Sequence, residues 1–471
     1  MLRASRYFLF LIWVLFPKIT FAHGFGQRID LPVPLYLYLF GGGLVVVVSF
    51  LMLGFLSKNF VEKITNYPSK KISDIFLVKY LESSYFLDPL KFAFVVLLCA
   101  SLYGGFYGDQ FSAVNILPTM VWILFAIGVT FTSALIGNIW KVINPLKTIY
   151  EYGEWVGSKL KISIQKESLP ALPGVWVAFS LFFIFRWIEN ISGIADHASV
   201  LTLLVVYYMF LTFIGMFFFG KQEWLERADP FNIFFTILSR FSITEVKNNQ
   251  LYVRPPAIGL LAQKPITSEV SFILLMLSTV AADGILTTPL FNSLYTILIA
   301  TVGLSYEVAG TLALILLFIL FATIYYFFSF LTKKISKDTS STYVVAMRYI
   351  YSLLPIAIAY EIAHYVSILV VDGQRVVYLI SDPFNKGWDI LGTASYKISY
   401  SVLNLKMLWN FQVFLIVIGH VIAILVSHSI ALQYFKDEKK ALISQYPMLI
   451  LMILYSVLSL WIMAQPIVAV E

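Results

Sequence analysis

Long apolar runs alternate with short polar segments along almost the whole chain. Ten of these runs reach the roughly 18 residues that a membrane-spanning helix needs. Only a helix satisfies its own backbone hydrogen bonds inside hydrocarbon, so each run predicts one transmembrane helix. The pattern therefore predicts an all-α fold, a polytopic integral membrane bundle of about ten transmembrane helices. The predicted spans are 33–56, 89–108, 116–140, 173–191, 198–220, 269–287, 308–331, 343–371, 408–435 and 447–466.

The first 22 residues have the pattern of a secretory signal peptide. Arg3 and Arg6 form a basic start, and the apolar stretch 7–16 is too short to span a bilayer. Thr20 and Ala22 occupy the two positions that signal peptidase reads. We expect cleavage after residue 22, which leaves 23–471 as a single transmembrane helical domain. An uncleaved signal anchor is the alternative.

Composition supports a membrane protein and argues against a nucleic-acid partner. Of the 471 residues, 59% are hydrophobic and 13% are charged, where a soluble domain has about 25% charged residues. The net charge of +7 comes from basic residues that lie in loops between spans. The expected partner is therefore the lipid bilayer.

Basic residues are distributed unequally between the two sides of the predicted bundle. If the mature N-terminus is outside, the great majority of lysine and arginine residues fall in inner loops, as the positive-inside rule requires. Ten spans then return the C-terminus to the outer side. The outer segments hold only Arg28, Arg375, Lys386, Lys397 and Lys406.

Ionisable residues at membrane depth are costly and therefore mark candidate functional positions. With a rise of about 1.5 Å per residue, all of them except His428 fall in the predicted outer half. Arg186 and Glu189, at i and i+3, are expected to form a neutralised pair. His428 is expected to be a satisfied or interfacial histidine. The full set is Arg186, Glu189, Asp283, Glu361, His364, His420 and His428.

Glu361 and His364 form a Glu-x-x-His motif, and His420 is predicted at a similar depth on the next span. Residues at i and i+3 share a helix face, and this motif recurs in metal sites inside helical bundles. Glu361, His364 and His420 are candidate ligands of a divalent zinc, copper, iron or manganese ion. Glu361 and Asp283 are candidate catalytic carboxylates. A buried hydrogen-bond network and a proton or ion path are the alternatives.

His23 would become the first residue of the mature chain after cleavage. Its α-amine and its imidazole could then bind one metal together, a donor pair that suits tetragonal copper(II). The alternative is a tolerated residue after a cleavage site.

Five stretches of the sequence are distinctive: AHGFGQRIDLPVPLYLYL, STVAADGILTTPLF, LPIAIAYEIAHY, ISDPFNKGWDILGTASY and SQYPMLILMILYSVLSLWIMAQPIV. Together they resemble a bacterial family of multi-span membrane proteins labelled fenitrothion hydrolase. The resemblance implies hydrolysis of an organophosphate triester at its aryl ester bond. We expect the site to open to the outer leaflet of the bacterial inner membrane, where an apolar small molecule dissolved in the lipid could reach it.

Other functions are compatible with the same polar residues. A transporter or permease for a metal ion or small solute is one alternative, and a metal-handling protein of the cell envelope is another. The sequence contains neither a Gly-x-Ser-x-Gly nucleophile elbow nor a phosphate-binding loop. A serine hydrolase and an ATP-driven machine are therefore not expected.

Overall fold

The structure is a computed structural model. It describes residues 34–53, 63, 67, 69–161, 166–169, 174–193, 197–262, 265–435 and 437–465. The predicted signal peptide, 1–22, and His23 lie outside the described residues.

The described chain is a helical bundle, as the apolar runs predict. The α-helices are α1 (Leu35–Leu53), α2 (Phe76–Leu81), α3 (Ser84–Tyr107), α4 (Ile116–Pro118), α5 (Thr130–Leu135), α6 (Trp140–Ile143), α7 (Pro145–Lys159), α8 (Trp176–Asn190), α9 (Ala198–Phe219), α10 (Lys221–Arg227), α11 (Pro230–Ser239), α12 (Thr267–Leu286), α13 (Pro289–Val302), α14 (Tyr306–Ser336), α15 (Thr342–Tyr349), α16 (Leu354–Val371), α17 (Arg375–Ser381), α18 (Leu405–Tyr434), α19 (Glu438–Ser444) and α20 (Tyr446–Met463). A π-helical segment, Thr119–Val129, joins α4 to α5, and 3-10 turns occur at Ile258–Leu260, Ile350–Leu353, Asp372–Gln374 and Tyr400–Val402.

In the part of the chain that the structure describes, each of the ten predicted spans contains helical structure, and nine of them contain a helical segment of membrane-spanning length. Among the described residues, nine helical segments are long and apolar enough to cross a membrane. The predicted span 173–191 forms α8, which has 15 residues and therefore covers only about 22 Å of a bilayer core that is roughly 30 Å thick. The prediction of a multi-pass, all-α membrane protein is confirmed.

Regular β-structure in the described chain is confined to the predicted inner loops. Lys70–Lys71 (β1), Thr244–Lys247 (β2) and Gln250–Val253 (β3) form an antiparallel sheet of order β1-β3-β2. The two-residue turn of the β2–β3 hairpin, Asn248 and Asn249, has positive φ at both positions, which matches the twist of such hairpins. The sheet thus joins two loops that are distant in sequence.

The predicted eighth span is broken rather than continuous. A 3-10 turn, Ile350–Leu353, separates α15 from α16, and Pro355 is the second residue of α16. Proline has no backbone N–H and its ring clashes with the carbonyl four residues earlier, here Tyr351, so a straight α-helix cannot run through this point.

Helix α12 lies at the centre of the bundle. Sixteen of its 20 residues are buried, whereas only three of the 24 residues of α3 are buried. Glycines let its neighbours approach closely. A Cβ added at Gly284 of α12 would lie 2.8 Å from the Tyr360 hydroxyl oxygen of α16, and one at Gly419 of α18 would lie 2.3 Å from the Cβ of Ala359. Helices α16 and α18 are therefore packed nearly backbone to backbone at Gly419, whereas Gly284 makes room for the Tyr360 side chain beside α12.

Candidate functional site

The last turn of α12 carries Asp283. The C-terminal end of a helix bears partial negative charge, which disfavours a carboxylate there. Two donors from α16 compensate for this. The Nε2 atom of His364 lies 2.8 Å from Asp283 Oδ2, and the Tyr365 hydroxyl donates to the same oxygen at 2.6 Å. Asp283 and His364, which are 81 residues apart in the chain, therefore form a contacting carboxylate–imidazole pair.

Helix α8 adds an ion pair on the other side of Tyr365. Arg186 Nη1 contacts Glu189 Oε2 at 2.7 Å, which confirms the predicted i, i+3 pair. Arg186 Nη2 donates to the Tyr365 hydroxyl at 3.4 Å. The Tyr365 hydroxyl thus accepts from Arg186 and donates to Asp283, and it links the ion pair to the carboxylate–imidazole pair.

Glu361 lies one helical turn before His364 on α16. It lines a small cavity together with Arg186 and Thr279, and its charge interacts with those of Arg186, His364 and Asp283. We call Arg186, Glu189, Asp283, Glu361, His364 and Tyr365 the outer cluster.

The outer cluster has more negative than positive groups. Asp283, Glu361 and Glu189 supply three carboxylates, whereas Arg186 is its only permanently charged cation. His364 can supply a second positive charge only by taking up a proton. Three acidic side chains beside one arginine favour the uptake of a proton or a cation by the outer cluster.

The outer cluster is partly accessible. The side chains of His364 and Asp283 are 22% and 24% exposed, whereas that of Arg186 is 6% exposed. The carboxylate–imidazole pair is therefore partly exposed, whereas Arg186 is buried.

His420 does not join the outer cluster in this structure. Its Nδ1 donates to the Ile416 carbonyl at 2.7 Å on its own helix, and its Nε2 is buried with no partner among the described residues. Gly419 of α18 packs against Ala359 of α16, which lies five residues, or about 7 Å, before His364. His420 is therefore deeper in the bundle than His364 and close to the level of Glu361, but its imidazole makes no hydrogen bond to the outer cluster.

His428 has a partner, as expected. Its Nδ1 is hydrogen-bonded to the Gln445 side chain at the start of α20. The residue belongs to a buried polar contact between α18 and the helix pair α19–α20, remote from the outer cluster.

No group of three or more histidine, cysteine, aspartate or glutamate side chains in the described ranges is close enough to hold a metal ion. The ligand-type side chains that the structure brings together are Asp283 and His364, with Glu361 nearby. His23, a predicted ligand, lies outside those ranges.

Sequence reasoning missed Tyr365, the residue that connects the two halves of the outer cluster. A search for ionisable groups at membrane depth passes over tyrosine. Its position next to His364 was the only available signal, since the contact with Arg186 spans 179 residues.

Comparison of the chain with protein-family models, with curated proteins and with solved structures finds no match.

Proposed function

We propose that the protein is a membrane-embedded hydrolase that cleaves an apolar ester, with His364 as general base and Asp283 as the carboxylate that orients it. The observation that carries the proposal is the 2.8 Å contact between the partly exposed side chains of Asp283 and His364. The resemblance to the fenitrothion hydrolase family supports an organophosphate triester as the substrate class.

The chemistry follows from the hydrogen bonds. Because Nε2–H of His364 donates to Asp283, the neutral imidazole has its lone pair on Nδ1. A water molecule at Nδ1 gives up a proton as its oxygen attacks phosphorus. The aryl–oxygen leaving group departs as the phosphorus–oxygen bond breaks, and it takes the proton back from His364.

The remaining charges fit this role. Tyr365 holds Asp283 by a second hydrogen bond and so limits rotation of the carboxylate. Arg186 brings positive charge behind the pair, where it favours the negative charge that develops on the phosphoryl oxygens. Glu361 can accept a hydrogen bond from the attacking water.

The distribution of basic residues supports placing this site in the outer leaflet of a bacterial inner membrane, with both termini on the outer side. An apolar substrate dissolved in the lipid would reach this site from the bilayer. The proposed partners are therefore lipid and an apolar small molecule.

A divalent metal ion at the outer cluster stays a prediction. His364 through Nδ1 and Glu361 would hold it, which is one ligand fewer than the three protein ligands of typical catalytic zinc sites. A bound zinc, copper, iron or manganese ion would polarise the phosphoryl oxygen and acidify a bound water. Elemental analysis of the purified protein tests this directly.

The decisive experiment measures release of the aryl alcohol from an aryl phosphotriester by the full-length protein in lipid nanodiscs. His364→Gln should abolish turnover while the protein remains folded. His428→Gln is the matched control, because it removes another largely buried, hydrogen-bonded histidine far from the outer cluster. Equal turnover in the two variants would refute the assignment of His364.

The excess negative charge of the outer cluster favours a second candidate function, translocation of a proton or small cation. Charged groups inside transporters mark ion paths, and Glu361 faces an interior cavity. Ion flux into proteoliposomes that stops in Glu361→Gln, with no ester hydrolysis by the unmodified protein, would favour transport over hydrolysis.

A further inference from the structure

A second cavity lies beside the one that Glu361 lines, and Val280 lines both. It is enclosed by α12, α14, α16 and α20 and is largely apolar, with Phe321, Val280 and Leu458 among its walls. Three polar side chains also line it, those of Tyr360, Tyr455 and Ser459.

Two phenol hydroxyls in this cavity have no hydrogen-bond partner in the described part of the chain. Tyr360 and Tyr455 are only 4% and 5% exposed, and both hydroxyl oxygens are unpaired. Buried hydroxyls are nearly always paired in native proteins, with protein or with ordered water. Two unpaired hydroxyls in one cavity therefore indicate a partner that is not a protein atom.

We propose that this cavity is a binding site for ordered internal water, which hydrogen-bonds Tyr360 and Tyr455 inside the bundle. The cavity is large enough to hold a water molecule, and it offers the two or more polar partners that a buried water requires. An apolar ligand would leave both hydroxyls unpaired, so the chemistry of the site favours water.

This water site adjoins the outer cluster. The Tyr360 ring stacks on the His364 imidazole, with centroids 5.9 Å apart and an angle of 13° between the planes. Its hydroxyl approaches the backbone of α12 at Gly284, next to Asp283. The cavity therefore places enclosed water one side chain away from the carboxylate–imidazole pair. The inference rests on burial and hydrogen bonding alone and is independent of the proposed function.

The first test is hydroxyl-radical labelling by radiolysis of the full-length protein in nanodiscs, read by mass spectrometry. Radicals form from water in place, so a buried side chain is labelled quickly only when water lies beside it. Tyr325 is the matched control, since it is fully buried and its hydroxyl donates to the Ala346 carbonyl at 2.5 Å. We expect Tyr360 and Tyr455 to be labelled several-fold faster than Tyr325. Labelling as slow as that of Tyr325 would overturn the proposal.

The second test uses the sign of a stability change. In a dry cavity, Tyr455→Phe removes an unpaired hydroxyl and should raise the melting temperature, whereas in a hydrated cavity it removes a hydrogen bond and should lower it. Tyr325→Phe should lower the melting temperature in either case and so calibrates the measurement. We expect Tyr455→Phe to be destabilising. A stabilised variant would overturn the proposal.

Discussion

The two ends of α12 each carry a carboxylate bound by a tyrosine and a basic residue, yet the two sites differ in charge balance. At the N-terminal end, Glu269 accepts from Arg240 Nη2 at 2.8 Å and from the Tyr351 hydroxyl at 2.6 Å. At the C-terminal end, Asp283 accepts from His364 and Tyr365 at almost the same distances.

Glu269 is in a favourable environment. It lies in the first turn of α12, where the helix dipole stabilises a negative charge, and it also accepts from the Ile266 backbone N–H. Arg240 balances its charge one to one, and the guanidinium lies 4.8 Å from the centre of the Tyr351 ring. We call Arg240, Glu269 and Tyr351 the inner triad. Its geometry indicates that it stabilises the fold.

Asp283 is in the opposite environment. The helix dipole disfavours its charge, and the surrounding outer cluster has three carboxylates for one arginine. A site that only stabilises the fold would not need this excess, whereas perturbed, partly accessible charge is typical of functional sites. The comparison therefore supports the proposal that the inner triad stabilises the fold and that the outer cluster carries the chemistry.

The largest expected effect is on activity at the outer end of α12. Asp283→Asn keeps the shape of the side chain but removes the charge that orients His364, so turnover should fall by roughly 10²–10⁴-fold, the usual size of a general-base contribution. Because the variant also lowers the charge excess, its melting temperature should not fall. Kinetics and thermal unfolding measure the two quantities, and full activity would contradict the division of roles.

Glu269→Gln should have a large effect on stability and little direct effect on chemistry. It leaves Arg240 buried without its counter-ion, a change that typically costs about 3–5 kcal/mol. The yield of folded protein and its melting temperature report the loss. Lys247→Ala, which breaks an exposed ion pair with Glu245, is the control and should change the melting temperature little. If the melting temperature of Glu269→Gln were unchanged, the structural role of the inner triad would be contradicted.

The two tyrosines allow a matched comparison, because each donates a 2.6 Å hydrogen bond to a carboxylate of α12. Tyr351→Phe and Tyr365→Phe should each lower the free energy of unfolding by roughly 0.5–1.5 kcal/mol. Only Tyr365→Phe should also reduce turnover, since it frees the Asp283 carboxylate. If the two variants had equal turnover, the outer tyrosine would have no role beyond packing.

The smallest effect concerns a charge-balanced pair in the short loop between α14 and α15. Burial raises the pKa of Asp338, but hydrogen bonds from Ser340 and the 2.5 Å ion pair with Arg348 outweigh it, so the net pKa is lowered. A carboxyl whose pKa is lowered on folding stabilises the fold above its unfolded pKa, near 4, and loses that contribution as the pH falls through the folded value.

We therefore expect the melting temperature to decline as the pH falls below about 4, and this part of the decline to be absent in Asp338→Asn. Melting curves of the two proteins across that range test the sign. An identical acid dependence would show that the loop pair does not contribute.

Sequence alone determined the features that depend on neighbours in the chain. Hydropathy located a helix in every predicted span and, over the described residues, a helical segment of membrane-spanning length in nine of the ten, because a membrane helix satisfies its backbone locally. Spacing at i and i+3 predicted the Arg186–Glu189 pair, and intramembrane position selected Asp283, Glu361 and His364 as candidates.

Only the tertiary structure decided which of those candidates meet. The Asp283–His364 contact, the bridge through Tyr365 and the separation of His420 depend on the order, rotation and relative height of α8, α12, α16 and α18. Helical periodicity determines a side chain's direction relative to its own axis and carries no information about the neighbouring helix. The relative rotation and height of these helices depend on close contacts such as those of Gly284 with Tyr360 and of Gly419 with Ala359. These contacts join residues that are far apart in the chain, so the sequence pattern of one helix does not predict them.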